Sequence, residues 1–537
     1  MTEETFQKND PNSPPREEDI TIFKSLADHT KGKPDQALIS KDTILNIFNR
    51  HGISMQDIRV KQGMDFLHSL PDKDLNQEQF VNFIHGCGAI GNRMLQGRLV
   101  IPDFEHFCQS ISSIYEKTIG LQSGHVASYI PQLSSVDPEK FAISICTVDG
   151  QRFSIGDSSD WFCVQSVCKP INYSIAIQEN SEKVVHQHMG REPSGTSFNA
   201  LALNHHGLPH NPMINAGGIM CCSLIGRDLN GAERFDYITQ MWHKLSGEIP
   251  RFSNSVYLSE KETADRNYAL AYYMKEQGAF PPETDIKTVL DFYFQCCALE
   301  VTSDMASVVA ASLASGGICP ITRELIFRPE GVKNCLSLMS SCGMYDFSGE
   351  FNFKIGLPAK SGVSGMILLV IPNVMGISIW SPRLDAMGNS VRGVEFCNQL
   401  VQEFNFHAFD NVILQNSSKT DPRRHPYEKS NLSTNSLMWA AWRGDLHGMR
   451  ENMANQADIN ATDYDHRTVL HVAAAEGHED IVRYLINVGA PINKPDRWGR
   501  TPLDEAEFHH HDHITNLLRQ LGGLTSKELI QTESQSK

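Results

Sequence analysis

Ser166 and Lys169 stand three residues apart in the stretch QSVCKP. A serine hydroxyl is a poor nucleophile until something removes its proton, and a neighbouring lysine amine can do so when it is held neutral. On a helix, positions i and i+3 share a face, so this spacing brings amine and hydroxyl together. A serine at the helix start also meets free backbone N–H groups and the positive end of the helix dipole, which favour a developing oxyanion. The pair alone is equally what an N-capping serine followed by a solvated lysine would look like. A second element changes that balance: Lys360-Ser361-Gly362 lies just before the apolar run MILLVIP, a lysine-serine-glycine triplet leading into a strand. Cys168, between Ser166 and Lys169, faces away from both on a helical turn and reads as packing, not as a rival nucleophile.

The elements that hold these residues belong to a long chain. At 537 residues it exceeds the roughly 250–300 residues a single core can serve, so several domains are expected. Charged residues at 20% and hydrophobic residues at 40% suit folded domains. The 47 basic against 63 acidic side chains give a net charge of -16, which argues against nucleic acid or an anionic membrane surface as partner. The opening MTEETFQKNDPNSPPREED has neither an apolar signal core nor an Arg-rich transit character. Met366 to Trp380, the most apolar stretch, is short and broken by Pro372-Asn373, so no membrane insertion is expected. Thirteen cysteines without a CxxC pair fit buried free thiols in a reducing intracellular setting.

Periodicity divides the chain. Residues 1–17 are polar and Pro-containing and are expected to be disordered; residues 18–112 carry helical spacing, as in TILNIFNRHGI and EQFVNFIHG, and form an all-helical module. Asp72, Asp74 and Asn76 imitate the opening of an EF-hand calcium loop, but Gln77 replaces the required glycine and Phe83 the bidentate glutamate, so the module is EF-hand-like without calcium. Residues 113–411 switch character. FAISICTVDGQRFSIGD and GMILLVIPNVMGISIWSP each read as a hairpin, around Asp149-Gly150 and Pro372-Asn373, with the helical stretches DIKTVLDFYFQCCALEV and SDMASVVAASLASGG between them. Strands from both ends of this segment therefore build one sheet of an α+β domain.

Residues 412–433 read as a linker, 434–523 as a repeat region and 524–537 as a disordered tail. ADIN at Ala457 recurs as APIN at Ala490, and TVLHVAAAEGH at Thr468 is echoed by TPLDEAEFHHH at Thr501, each 33 residues later. That period with T-x-L-H-x-A-A is the ankyrin signature, here two full repeats and one partial, a module that binds proteins and carries no chemistry. Contiguous histidines such as His509 to His513 fan around a helix and form no metal site; His205, His206 and His210 read as turn residues. Deletion from Ser430 onward is expected to spare the chemistry.

The order hairpin, S-x-x-K helix, helical insert, K-S-G strand resembles the serine β-lactamase and penicillin-binding-protein fold. In that arrangement Gly362 lets the strand backbone approach the substrate, and the N–H groups of Ser166 and Val363 form the oxyanion hole. The stretches SYIPQL, TVDGQR, QSVCKP, EPSG, HNPMINAGGI, DRN, DFYFQCC, GMYDFSGEF and GLPAKSGVSG are similar to those of the glutaminases, and the whole chain resembles the animal phosphate-activated glutaminases. The resemblance implies hydrolysis of L-glutamine to L-glutamate and ammonia through a glutamyl ester on Ser166. Lys169, kept neutral by desolvation, is the implied base, Tyr345 the relay of its proton to ammonia, and Tyr129 a further catalytic group. Glu260 would face the α-ammonium, while Asn215, Asn267, Tyr293 and Tyr129 would hold the carboxylate and the rest of the ligand. No cofactor is implied; inorganic phosphate is a candidate allosteric activator.

The family also implies a homo-oligomer, a tetramer with filaments as a further assembly, and a mitochondrial location, with the cytosol as the alternative. In the loop Gly190 to Asn204, kidney-type enzymes carry a lysine and a bulky aromatic near where this chain has Ala200 and Ala202, which puts phosphate dependence in question. An inactive ankyrin adaptor and a related serine acyl-hydrolase are the competing readings.

Overall fold

Both expected hairpins form as antiparallel pairs in the computed structural model, Ala142–Thr147 with Arg152–Gly156 and Met366–Ile371 with Met375–Trp380. The structure describes residues 17–26, 38–196, 200–412, 419–424, 426–454 and 457–535. Gly150 at φ +89° and Asn373 at φ +60° turn the two hairpins, a left-handed backbone that Gly and Asn enter at least cost. Met375–Trp380 also pairs with Ala142–Thr147, and Ala359–Ser361 adds at the far edge, so one five-stranded sheet joins both ends of the segment.

Each face of that sheet is buried. Met366, Leu368 and Val370 enter a core shared with the helices Cys168–Val185, Asn215–Leu224, Ile286–Cys297 and Ser303–Ala314. Ile367, Leu369 and Ile371 enter a second core with Phe104–Ile119 and Val391–Glu403. A strand covered on both faces needs no polar alternation, which is why MILLVI reads as an unbroken apolar run. Helix Ser303–Ala314 lies so close over the sheet that a Cβ on Gly376 would collide with the backbone of Ala310 and Ala311. It ends where Gly316 and Gly317 turn left-handed, at φ +73° and +99°.

Several short elements escaped the sequence. A second sheet orders Phe162–Cys163, Leu299–Val301 and Arg251–Phe252, and its middle strand lies in a stretch expected to be helical. The N-terminal module is not purely helical: among Glu17–Leu26, Lys41–Arg50, Lys61–Ser69, Gln77–Gly86 and Gly88–Leu95, the strands Ile39–Ser40 and Asp74–Leu75 pair antiparallel. Strands of two or three residues are too short to show a period. Asn76 caps Gln77–Gly86 through a capping box with Gln79. The boundary drawn at 112 falls inside helix Phe104–Ile119, whose apolar side packs on the five-stranded sheet. Arg59 Nη1 donates to the Asp149 carbonyl at 2.6 Å, and the Gln151 amide pairs with both the N–H and C=O of Ile101, so the module grips the first hairpin.

Residues from 424 onward form a separate unit. Three helix pairs stack there, Pro426–Arg443 with Leu446–Ala454, Val469–Ala475 with Glu479–Asn487, and Pro502–Phe508 with Asp512–Gln520. The first pair is thus complete where a partial repeat was expected, and its helix begins inside the expected linker. Helix Ser526–Gln535 occupies the expected disordered tail. Thr468 and Thr501 cap the first helices of their pairs, and Ala440, Ala441, Ala473, Ala474 and Ala506 are buried between them. His509, His510 and His513 are exposed, whereas His511 Nε2 meets the Ala475 carbonyl at 2.9 Å. The expected N-terminal disorder at residues 1–16 and linker residues 413–418 lie outside the described residues. Among the described residues no helix is long and apolar enough to cross a membrane.

Because Ser430 lies within a helix, a clean truncation ends at Arg423, the last residue of the first unit. The activity that the family resemblance implies is expected to persist in the chain 1–423 within about threefold of the full chain, since separate cores fold separately. A folded truncation without activity would refute the independence of the two units.

Candidate active site

Strand Phe162–Cys163 delivers the chain to Val164, whose N–H donates to the Leu299 carbonyl at 2.8 Å. The 3-10 turn Gln165–Val167 follows and runs into helix Cys168–Val185, so Ser166 sits at the entrance of a helix. Gln165 has φ +48°, a left-handed backbone unusual for a side chain of its size and typical of strained functional turns. Ser166 is half-buried in the midst of fully buried neighbours, and Lys169 Nζ lies 2.7 Å from its Oγ. Lys169 itself is 1% exposed. Cys168 is fully buried with Sγ 3.9 Å from Cys297 Sγ, packed at the back of the turn.

The second motif closes on the first. Gly362 follows strand Ala359–Ser361, and a Cβ there would lie 3.1 Å from the Val164 carbonyl and 3.2 Å from Val167 Cγ2. Only a glycine allows this approach without displacing the turn that carries Ser166. Val363, next in line, is half-buried, and its amide donates to no group among the described residues. The Lys360 amine donates to the carbonyls of Gly343 at 3.1 Å and Ser361 at 2.5 Å and lies 4.5 Å from the Tyr345 ring centroid. Burial, and then the Lys169 charge, hold it well below the usual lysine range. Tyr345 is buried at φ +53°; burial raises its phenol above the ordinary range, opposed by the neighbouring Ser166 hydroxyl.

The glutaminase family matches residues 124–409. This chain belongs to the glutaminase family. Ankyrin repeats, three copies, match residues 437–526. Among its relatives, the mitochondrial liver isoform of glutaminase from Rattus norvegicus is 46% identical over 87% of this chain and 79% of that protein. Glutaminase from the Nostoc strain PCC 7120 is 42% identical over 56% of this chain and 89% of that protein. Of solved structures, Mglu in its native form superposes with a TM-score of 0.53 at 33% identity, over 56% of this chain and 73% of Mglu.

Around the Ser166 turn this glutaminase groups its polar residues into two clusters. In one, the Tyr129 hydroxyl donates to Glu260 Oε1 at 2.6 Å and Gln165 Nε2 donates to the same oxygen at 3.1 Å. Glu260 is 9% exposed; burial raises its carboxyl above the ordinary range, opposed by these two hydrogen bonds and the Lys169 charge. Tyr129 shows half of its ring to solvent while its hydroxyl is turned inward onto Glu260, and burial of that hydroxyl beside the carboxylate drives its phenol well up. In the other cluster, the Tyr293 hydroxyl donates to Asn215 Oδ1 at 3.2 Å, and Asn215 Nδ2 donates to Asn267 Oδ1 at 3.3 Å.

All the residues expected on the substrate therefore lie in one of these groups or beside Ser166. Asn215 opens helix Asn215–Leu224 one residue after its N-cap Ile214, Glu260 is buried, and Tyr293 lies in the main core with its hydroxyl hydrogen-bonded to Asn215. The Tyr129 hydroxyl meets Glu260 in this structure, while Asn215, Asn267 and Tyr293 form the other group. Sequence reasoning missed Gln165 and Gly218. Gln165 adjoins the nucleophile, but nothing in its type announces the left-handed turn that aims it at Glu260. A Cβ on Gly218 would lie 2.9 Å from Lys169 Cε and 3.1 Å from Tyr293 Cε2, so this glycine leaves the room the base occupies. Beside Tyr345 a cleft of about 510 Å³ opens, lined by Ser194, Thr196, Asn211, Met213 and Ser341. Ala200 and Ala202 follow on the same loop, and residues 197–199 between lie outside the described residues.

Proposed function

We infer that this glutaminase hydrolyses L-glutamine to L-glutamate and ammonia through a glutamyl ester on Ser166. The observation that carries the mechanism is the 2.7 Å approach of Lys169 Nζ to Ser166 Oγ at the mouth of a helix, with buried Tyr345 beside the same serine. In the neutral state Lys169 accepts the serine proton as Oγ bonds to the side-chain carbonyl carbon. The oxyanion rests on the amides of Ser166 and Val363. The C–N bond then breaks as the proton returns through Tyr345 to the departing nitrogen. Water attacks the ester by the reverse path, giving glutamate and free serine. Glu260, with Tyr129 and Gln165 fixing its carboxylate, receives the α-ammonium; Asn215, Asn267 and Tyr293 receive the α-carboxylate. Reading both ends of the amino acid is what separates glutamine from other amides.

The same reading takes inorganic phosphate as an allosteric activator acting at the Gly190–Asn204 loop, with a weak response because Ala200 and Ala202 offer small side chains there. It assigns a homotetramer able to extend into filaments, a protein partner for the ankyrin unit, an EF-hand-like origin for the N-terminal module and, after the named rat relative, a mitochondrial location. The test is ammonia release from glutamine, asparagine and simple amides, each with and without phosphate. Glutamine-selective release is expected. No release from glutamine would leave the adaptor reading, and equal release from every amide the general acyl-hydrolase.

A further inference from the structure

Tyr345 occupies a backbone state that a tyrosine does not hold by itself. At φ +53° it needs its surroundings to keep it there, and a hydroxyl that must meet Ser166 tolerates little displacement. Three contacts hold the Met344-Tyr345 pair. Ser348 Oγ accepts from the Met344 N–H at 3.0 Å and donates to the Tyr345 carbonyl at 2.6 Å. Ser361 N–H donates to the Gly343 carbonyl at 3.1 Å, tying the preceding residue to the Lys-Ser-Gly strand. The third contact comes from the loop Asp385 to Asn389, a segment with no part in the mechanism above.

That loop is built. Asp385 Oδ1 accepts from the N–H groups of Met387 and Asn389, each at 2.9 Å, and the Asp385 N–H donates to the Asn389 carbonyl at 2.8 Å. The closed turn sets Gly388 at φ +87°, where a Cβ would touch Tyr345 Cδ2 and Cε2 at 3.7 Å. It also buries the Asn389 side chain completely and brings its Nδ2 to 3.4 Å from the Met344 carbonyl. The loop thus places Gly388 alongside the Tyr345 ring and brings its asparagine to the peptide before Tyr345. Met387 at the tip is exposed, so the turn leans inward only through Gly388 and Asn389.

We propose that Asn389 and Gly388 are positioning residues for the amide hydrolysis, acting through Tyr345. Their contacts are with Tyr345 and Met344, and they fix the strained peptide that aims the Tyr345 hydroxyl. The inference rests on the relay assigned to Tyr345.

The test is a double-mutant cycle in the full-length enzyme with Asn389→Ala, Tyr345→Phe and both, following kcat and KM for glutamine, with thermal melting to confirm folding. Asn389→Ala is expected to lower kcat by about 10–100-fold with KM unchanged within about twofold, the loss that follows when a catalytic group drifts by about an ångström. In the Tyr345→Phe background it should have no further effect, because the group it aims is gone. Gly388→Ala, which strains the left-handed φ of +87° that closes this turn, serves as the second variant and should show the same loss and the same silence. Losses that multiply in the double mutants, or a rise in KM in place of a fall in kcat, would overturn the inference. Full activity of Tyr345→Phe would instead overturn the relay reading itself, so the two failures are told apart.

Discussion

Ser166→Ala is expected to lower glutamine turnover by about 10⁴–10⁶-fold while the melting transition stays in place. In the proposed mechanism alanine removes the atom that bonds to the glutamyl carbon, and half-buried Ser166 carries little of the core. Lys169→Ala should cost nearly as much, and the double variant no more than the worse single one, since nucleophile and base act as a unit. The residual rate then reports what the oxyanion amides and substrate binding provide without covalent chemistry. Rapid-mix measurement on the unaltered enzyme should show ammonia released ahead of glutamate whenever hydrolysis of the ester limits turnover. Ser166→Ala retaining even a tenth of the activity would exclude the acyl-enzyme and leave a water attacking directly.

How far this site could be read from sequence follows from the range of each signal. Ser166, Lys169 and the Lys360-Ser361-Gly362 triplet are local: spacing puts the first two on one helical face, and a glycine after a strand announces close approach. The hairpins were legible because Asp149-Gly150 and Pro372-Asn373 interrupt long β-branched runs. Asn215, Glu260, Asn267 and Tyr293 come from four different helices. Nothing in their local sequence distinguishes them from caps, surface charges or core aromatics, and only similarity to the family singled them out. Gln165, Gly218 and the Asp385–Asn389 loop were not found by either route. Their roles depend on φ values and on atoms brought from distant segments, which periodicity does not encode. The short strand Leu299–Val301 was lost for a related reason: its residues continue the apolar pattern of the helix before it, and only pairing with Phe162–Cys163 and Arg251–Phe252 makes it a strand.

Glu260→Gln is expected to raise KM for glutamine by about 100–1,000-fold, with a smaller change in kcat, because in the proposed binding mode Glu260 pairs with the substrate ammonium, and a buried charge pair loses about 2–5 kcal/mol when one partner is removed. The pH dependence sharpens this. Burial raises the Glu260 carboxyl above the ordinary range, so in the free enzyme it takes up a proton at a higher pH than an exposed glutamate does. As pH falls through that raised value the charge is lost, and kcat/KM should fall with it; in Glu260→Gln that acid limb should be absent. Stability moves the other way. A carboxyl whose folded pKa is raised favours the folded state at low pH, and that contribution is lost as pH rises through the folded value. Once ionised, Glu260 is therefore a burden on the empty enzyme, relieved in part by the hydrogen bonds from Tyr129 and Gln165. Glu260→Gln should consequently melt no lower than the unaltered enzyme at pH 7 while binding glutamine far more weakly. A variant that loses stability with KM unchanged would make Glu260 a structural acid and return the ammonium to another partner.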